Sequence, residues 1–527
     1  MSAATDLSDA KRAILTRMLA GDCAVARPAD VIRPRDPAAP VPLSAGQRQI
    51  WLHEAVTGDP LLYTESVTFH RRGSCDVKAL KASVGDLVQR HESLRARLVF
   101  DGPEPGQMFG QYADIAIPVD DVSALPIEAR DGAAIALATA DARMPFDLEQ
   151  GPLFRARIVR IAEDDHRLYL TLHHMIFDGV AIYDIILPDL ALLYDARTSG
   201  SAPPSPPAAI GYGDYAVWQR RSNESDAGHK ALEYWRAALS SLPEKLDLAG
   251  SLNVPAMPSR AGAMETFTIP TALGDQIRAL GRTNDATPYM VMLASFVALL
   301  HRYTGQQDII IGGVTDMRRK PELAMVAGYF LNTVPLRSRP SANLGFRDFL
   351  CSIRRTLLDT LDASEMPFDE VVRALDLRQS ADVHPLFDIL FSVEPPAPDF
   401  PPGWDLTQMD VEVRSAKFDL YLELDERPEG YIGRFLYSSD KFNRATIRRF
   451  VRHWLMVLEQ VTADPACRLG DLMLVTAEER TTVAEWIDAG STSGLKTLPD
   501  VLAGVASRQP DKAAMLFEDR IVSYREL

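Results

Sequence analysis

Alternation of apolar and polar residues marks positions 63–70 (YTESVTFH) as a half-buried strand. The same period returns at 155–160 (RARIVR) and 166–173 (HRLYLTLH), on either side of a polar turn containing EDD, and predicts two paired strands. Helical spacing predicts helices over 77–91, 182–194, 273–280, 288–303, 346–361 and 445–461. Further strands are expected at 308–312, 330–336, 387–393, 409–424 and 431–437, the last two joined by DERPEG. Residues 7–19 place Ala10, Ile14, Leu15 and Met18 on one helical face, with Ser8 or Asp9 as cap. Proline punctuates the chain: 25–42 reads as an extended linker, 201–207 (SAPPSPP) as a connector between two halves, and 395–402 as a loop.

This irregular mixture of strands and helices is an α+β pattern. It argues against a barrel or a doubly wound sheet of clean βα units. The halves share element content without an alignable repeat, which points to two similar lobes.

The length of 527 residues allows three or four pieces of ~150 residues. An apolar fraction of 46% and a charged fraction of 24% are those of a folded chain. The net charge of −16 argues against nucleic acid, whose phosphates call for a basic face. Cys23, Cys75, Cys351 and Cys467 lie far apart and form no CxxC pair, so neither a structural zinc site nor a disulfide framework is expected. No metal site is expected. The N-terminus lacks a signal-type apolar core. Apolar stretches such as 289–300 fall short of the ~20 residues that span a bilayer. A cytoplasmic, reducing setting and no membrane association are the expectation.

The chemistry concentrates in His173-His174-Met175-Ile176-Phe177-Asp178-Gly179, where a strand ends and a helix begins. Adjacent residues at a strand end point to opposite sides, so one histidine can face a cleft while the other packs inward. Asp178 falls at the helix start, where capping and the helix dipole favour a carboxylate. Gly179 permits close backbone approach. A neutral imidazole in a cleft can accept a proton from an attacking amine or hydroxyl. The plainer alternative is a pair of satisfied structural histidines.

HHMIFDG resembles the HHxxxDG motif of the condensation domains of nonribosomal peptide synthetases, in the superfamily of chloramphenicol acetyltransferase-like folds. The resemblance extends in order through LSAGQRQIWL (43–52), RHESLRARLVF (90–100), MPFDLEQGPLFRARIVRI (144–161), YGDYAVWQ (212–219), IIIGGVTDMRRKPE (309–322), GYFLNTVPLR (328–337), HPLFDILFSVE (384–394), KFDLYLEL (417–424) and YSSDKFNRATIRRF (437–450). It covers roughly residues 42–480. Gly46 and Gln49 stand where the opening motif has Ala and Arg, Val314 where the family has Pro, and Ser364-Glu365 where it often has His-Gln.

The resemblance implies two chloramphenicol acetyltransferase-like lobes in a V-shaped pseudo-dimer, with HHxxxDG midway along a tunnel between them. The divisions it implies are 1–41 (helix and linker), 42–205 (first lobe), 206–482 (second lobe) and 483–527 (linker and start of an adenylation domain). The implied reaction is attack of an acceptor amine on a donor thioester. His174 would position and deprotonate the amine, and Gly179 would offer a backbone N–H to the oxyanion. His173 would be structural. Asp178 would pair with Arg95. Asn332, Thr333, Trp51 and Tyr329 would line the tunnel. Tyr212, Asp214, Tyr215 and Trp218 read as packing at the lobe connection.

The chain itself is expected to bind no cofactor, since the phosphopantetheine arms arrive on partner carrier proteins. The implied partners are a donor acyl or peptidyl carrier protein and the downstream adenylation and acceptor carrier domains of the same synthetase. The chain is expected to be monomeric. Residues 497–527 resemble the opening of an adenylation domain, and 7–19 the linker helix that often precedes a condensation domain. The segments TESVTFHRRGSCDVKAL and GWDLTQMDVEVRSAKFDLYLELDERPEG resemble domains that take a fatty-acyl or polyketide donor. Two other classes stay in view: an acyltransferase acting on a free small molecule, and a degenerate docking domain. Against them stand the adenylation-like tail and the intact HHMIFDG. An epimerisation domain would not precede an adenylation domain, and a heterocyclising domain would carry DxxxxD instead.

Overall fold

The alternating segments of the first half pair into one sheet, and those of the second half into another. The computed structural model of the protein describes residues 31–36, 41–101, 104–110, 115–202, 209–248, 261–377, 385–394, 396, 398–408, 411, 415–427, 430–491, 497–517 and 520–527. The helix expected at 7–19 lies outside them, as do most of the 25–42 linker and all but two residues of 201–207.

In chain order the first lobe contributes β1 (Val41–Pro42), α1 (Ala45–Thr57), β2 (Thr64–Arg72), α2 (Val77–Arg90), β3 (Ala96–Val99), β4 (Gly106–Phe109), β5 (Val119–Asp121), α3 (Ile127–Ala142), β6 (Phe154–Ala162), β7 (Asp165–His173) and α4 (Leu187–Ser199). Helices α5 (Tyr212–Asn223) and α6 (Asp226–Ala238) follow. The second lobe holds β8 (Gly262–Pro270), α7 (Thr271–Thr283), α8 (Pro288–Thr304), β9 (Ile309–Asp316), β10 (Leu331–Ser338), α9 (Phe346–Ala363), α10 (Phe368–Ala374), β11 (Ile389–Glu394), β12 (Trp404–Gln408), β13 (Leu420–Arg427), β14 (Gly430–Ser438) and α11 (Arg444–Ala463).

β6 and β7 pair antiparallel across the predicted turn, and β2 pairs antiparallel with β7 so that Thr64 faces His173. The first sheet runs β12-β2-β7-β6-β5. Its inner face carries Phe69, Ile158 and Leu170, fully buried against Leu80, Val84 and Leu87 of α2 and Leu187 and Leu190 of α4. The second sheet runs β10-β9-β11-β13-β14-β8. Helix α8 is buried from Met290 to His301 without a polar face, as a helix enclosed on all sides must be. Its Phe296 sits 5.6 Å from Phe391 of the sheet and 6.1 Å from Trp454 of α11.

Two expectations need correction. Residues 409–424 are not one strand. The strand there begins at Leu420, while β12, formed just before this stretch, leaves the second sheet and pairs antiparallel with β2 of the first, Leu406 opposite Phe69. Alternation shows that a segment is amphipathic, but not which sheet it joins. The helix expected at 182–194 begins with a π-helical turn, Ala181–Ile186, before α4. Such turns recur near functional sites.

Residues Met473–Leu527 form a separate compact unit. It contains α12 (Ala477–Ser491), α13 (Leu498–Arg508) and an antiparallel hairpin of β15 (Ala513–Phe517) and β16 (Arg520–Ser523). Thr497 caps α13 reciprocally with Asp500. Among the described residues no helix is long and apolar enough to cross a membrane.

Candidate active site

β7 ends at His173, and the chain turns through a 3₁₀ segment, His174–Ile176, into the π-helical turn. The two histidines separate as their strand position requires. His173 is fully buried. Its Nδ1 accepts from the Met175 N–H (3.3 Å), so its Nε2–H faces Glu54 Oε2 at 3.1 Å. It packs inward and does not face the cavity.

His174 faces a cavity of about 150 Å³. Its Nδ1 lies 2.9 Å from the Phe177 carbonyl oxygen, which can only accept, so the proton sits on Nδ1 and the Nε2 lone pair faces the cavity. The ring is held between Phe177, stacked at 4.9 Å, and Tyr329, edge-on at 5.1 Å. Glu65 Oε1 lies 3.5 Å from Nε2 and is engaged by Lys417 Nζ at 2.6 Å. Burial pushes the His174 pKa down. The Glu65 carboxylate opposes this shift and Lys417 reinforces it, so the neutral form is favoured. Burial disfavours the Glu65 carboxylate, but at the acid pH where it would titrate the then-protonated His174, together with Lys417, outweighs burial and holds that carboxyl low. The Lys417 ammonium already compensates Glu65, so the pair does not call for an imidazolium beside it.

Asp178 is fully buried and does what a cap does: Oδ1 accepts from the Ala181 N–H at 2.8 Å. Its other oxygen accepts from the Phe330 N–H and from Arg318 Nη1, both at 2.7 Å. The expected partner, Arg95, is not the one found. Arg95 ends a 3₁₀ turn and spends its guanidinium on the carbonyls of Val88 and Gly110, at 3.1 and 3.2 Å. Arg318 also donates to the Gly328 carbonyl and lies over the Phe330 ring at 4.1 Å.

Gly179 lies directly against the end of the Glu394 side chain. A Cβ there would stand 2.8 Å from Glu394 Oε2. Thr333 and Tyr329 line the cavity, together with Glu65, Lys417 and Tyr183. Asn332 does not. Successive strand residues face opposite sides, so Thr333 and Asn332 cannot both look into it. Asn332 is buried instead, donating to the carbonyls of Ser364 and Met366 and accepting from the Phe368 N–H. Trp51 also falls away: Gln49 and Ile50 of α1 face the cavity, whereas the Trp51 ring lies 6.0 Å from Phe100 and lines no part of it.

The frame around the motif comes from the opening segment. Ser44 and Gln47 form a reciprocal cap on α1, and Gln47 Nε2 donates to the Met175 carbonyl. Tyr212 joins Ser44 Oγ (2.8 Å) to the Tyr329 carbonyl (2.5 Å), which accounts for its packing role. Arg48 pairs with Asp369 and Glu370 of α10.

Sequence reasoning did not single out Glu65, Lys417, Arg318 or Glu394. All four lie inside segments that carry the family pattern, but only Glu65 has a local signal, as a charge in an alternating strand.

A family model described as "Condensation domain" matches residues 38–483. The chain is 33% identical over 533 residues to phosphinothricin tripeptide synthetase PhsC of Streptomyces viridochromogenes, covering 99% of this chain and 48% of that one. It is 33% identical over 509 residues to the dimodular nonribosomal peptide synthase of Bacillus subtilis, covering 92% of this chain and 21% of that one. It thus spans about half or less of these curated relatives. Among solved structures, the X-domain from teicoplanin biosynthesis superposes with a TM-score of 0.72 at 26% identity, covering 84% of this chain and 98% of that one. The first condensation domain of the CDA synthetase shares the fold with a TM-score of 0.72 at 19% identity, over 84% of this chain and 100% of that one. With two sheet-rich lobes of this fold and a family model spanning both, the chain belongs to the condensation domain family of nonribosomal peptide synthetases.

Proposed function

We propose that this domain joins a carrier-bound acyl thioester to the amine of a carrier-bound aminoacyl group, with His174 as the residue that receives the amine. Condensation domains are amide-forming acyltransferases that work with the phosphopantetheine arms of carrier proteins. The observation that carries the specific reading is the fixed tautomer of His174, whose Nε2 lone pair faces an enclosed cavity. A neutral base in that position can orient an amine and take its proton as the nitrogen attacks the thioester carbon and the donor thiol leaves. Holding both arms in one cavity makes the step effectively unimolecular. Burial and Lys417 keep the base neutral against the pull of the Glu65 carboxylate. Asp178 and Arg318 hold its loop.

The donor proposed is fatty-acyl or polyketide, delivered on a carrier protein. It rests on the resemblance of 64–80 and 403–430 to domains that take such donors. The unit at Met473–Leu527 is proposed as the opening of an adenylation domain, on the resemblance of its helix, strand and Ser523-Tyr524-Arg525-Glu526-Leu527.

The test is His174→Ala, with amide formation between loaded carrier proteins followed by intact mass. Loss of product with carrier binding retained is expected; undiminished product overturns the assignment. Acyl-loaded and peptidyl-loaded donors compared side by side test the donor class, and faster turnover of the peptidyl donor removes it.

A further inference from the structure

Beside the histidine cavity lies a second chamber of about 340 Å³, walled mainly by apolar residues such as Tyr289, Met290, Val334 and Leu336. The two spaces share Gly179, Val314, Leu331 and Glu394 as a common border. Of these four, Glu394, the last residue of β11, is the one that can ionise. Its Oε1 accepts from Ser392 Oγ at 3.2 Å, and Ser392 is tied in turn to the Tyr421 hydroxyl at 2.8 Å. Its Oε2 lies against Gly179, in the space that any side chain at 179 would fill.

The other charged groups of this wall are matched. Arg434 of β14 takes Glu423 and Asp425 of β13, and Lys417 takes Glu65 of β2. Asp316 of β9, which also borders the chamber, lies 3.3 Å from Arg318. Among the described residues no cation pairs with Glu394. A carboxyl enclosed in this way needs either a proton or a cationic ligand.

We infer that Glu394 is the recognition point for the substrate's primary amine, which docks as an ammonium between the Glu394 carboxylate and the His174 side of the cavity. The inference rests on the condensation reading and adds to it a second group that contacts the acceptor. The low dielectric of the apolar chamber strengthens a charge pair at its mouth. Gly179 is the residue that lets Oε2 reach the border, and its lack of a side chain keeps the passage open.

Without ligand, burial together with Glu423, Asp425 and Glu65 pushes the Glu394 carboxyl up to about 8, with the Ser392 hydroxyl opposing. Tyr183 and Tyr421, which also face it, stay protonated, their pKa values raised by burial. Below that pH, docking of an ammonium displaces the Glu394 proton to solvent, leaving a carboxylate–ammonium pair and one released proton. The ammonium then returns a proton to the Glu394 carboxylate as it becomes the free amine, which leaves the His174 Nε2 lone pair to take the second proton as the nitrogen attacks.

The experiment uses the whole chain and two pantetheine probes: an amide-linked alanyl-pantetheine, and propionyl-pantetheine, which lacks only the amine. Calorimetry at about pH 6.5, in two buffers of different ionisation enthalpy, reads affinity and proton release together. Wild type is expected to prefer the alanyl probe by about tenfold or more, the scale of one charge-assisted hydrogen bond, and to release a proton on binding it. Glu394→Gln keeps the acceptor for Ser392 and is expected to lose both the preference and the release. Equal affinity for the two probes in wild type, or binding without proton release, overturns the inference and leaves the condensation reading standing. Retention of the preference in Glu394→Gln overturns it as well. If neither probe binds wild type, the condensation reading fails with it. The wild-type measurements decide the question even if the variant does not fold.

Discussion

Arg318 Nη1 lies 2.7 Å from Asp178 Oδ2, with both side chains almost wholly buried and 140 residues apart in the chain. The pair joins the motif loop of the first lobe to the segment between β9 and β10 of the second. Removing one member of a buried, fully bonded pair leaves the other charge unpaired, at about 3–5 kcal/mol. Arg318→Ala is therefore expected to lower the melting temperature sharply. Arg95→Ala, which loses only bonds to two carbonyls, is expected to cost about 1–3 kcal/mol. Thermal melts of the two variants check the order, and a larger loss for Arg95→Ala contradicts it.

The acid side of the activity profile follows the neutral fraction of His174. Burial, reinforced by Lys417, lowers the pKa, so activity is expected to persist below the ordinary histidine value of about 6.5. Lys417→Met removes a cation that disfavours the imidazolium and should move this limb to higher pH. Rate–pH profiles of both proteins measure it; a limb that stays in place refutes the role given to Lys417.

The same shift has a consequence for stability. The unfolded chain protonates His174 near 6.5, whereas the folded protein does so only at lower pH. Between these values the unfolded state binds more protons, so this contribution is lost as pH falls through that window and is complete above it. Denaturant midpoints of wild type and His174→Gln across pH 5 to 7.5 should converge toward the acid end.

Gly46, where the family pattern has Ala, packs directly on Tyr329. A Cβ there would stand 2.7 Å from Tyr329 Cε1 and 3.2 Å from the Leu331 carbonyl. Gly46→Ala is expected to push the Tyr329 ring, which supports His174, with an overpacking cost of about 1–3 kcal/mol. Turnover should fall while the fold is kept. Unaltered turnover with an unaltered melt argues that the ring moves freely.

Asn332→Asp keeps the shape of the side chain but turns an amide donor toward the two carbonyls of Ser364 and Met366 into an acceptor. Leaving buried groups unsatisfied costs about 1–3 kcal/mol each. A clear loss of stability is expected. Turnover at low temperature should be retained, because the side chain does not face the cavity. Selective loss of turnover at full stability would restore Asn332 to the cavity wall.

The alternating segments of the first half, the helix at Val77–Arg90 and the buried α8 were legible because strand and helix periods are local properties of neighbouring residues. So were the split of His173 from His174 and the capping role of Asp178, which follow from their place at a strand end and a helix start. The opposite facing of Asn332 and Thr333 was contained in the same period, although the family resemblance had grouped them together.

Residue order alone was thus enough for most of the elements, for the succession of motifs and the family they spell, and for placing the chemistry at HHMIFDG. Three things came only from folding: β12 crosses to the first sheet, Asp178 takes Arg318 rather than Arg95, and Glu65, Lys417 and Glu394 meet around one cavity. Periodicity reports which face of an element is apolar, and nothing more. The partner of a buried charge is set by which distant segments the folded chain brings within hydrogen-bond reach.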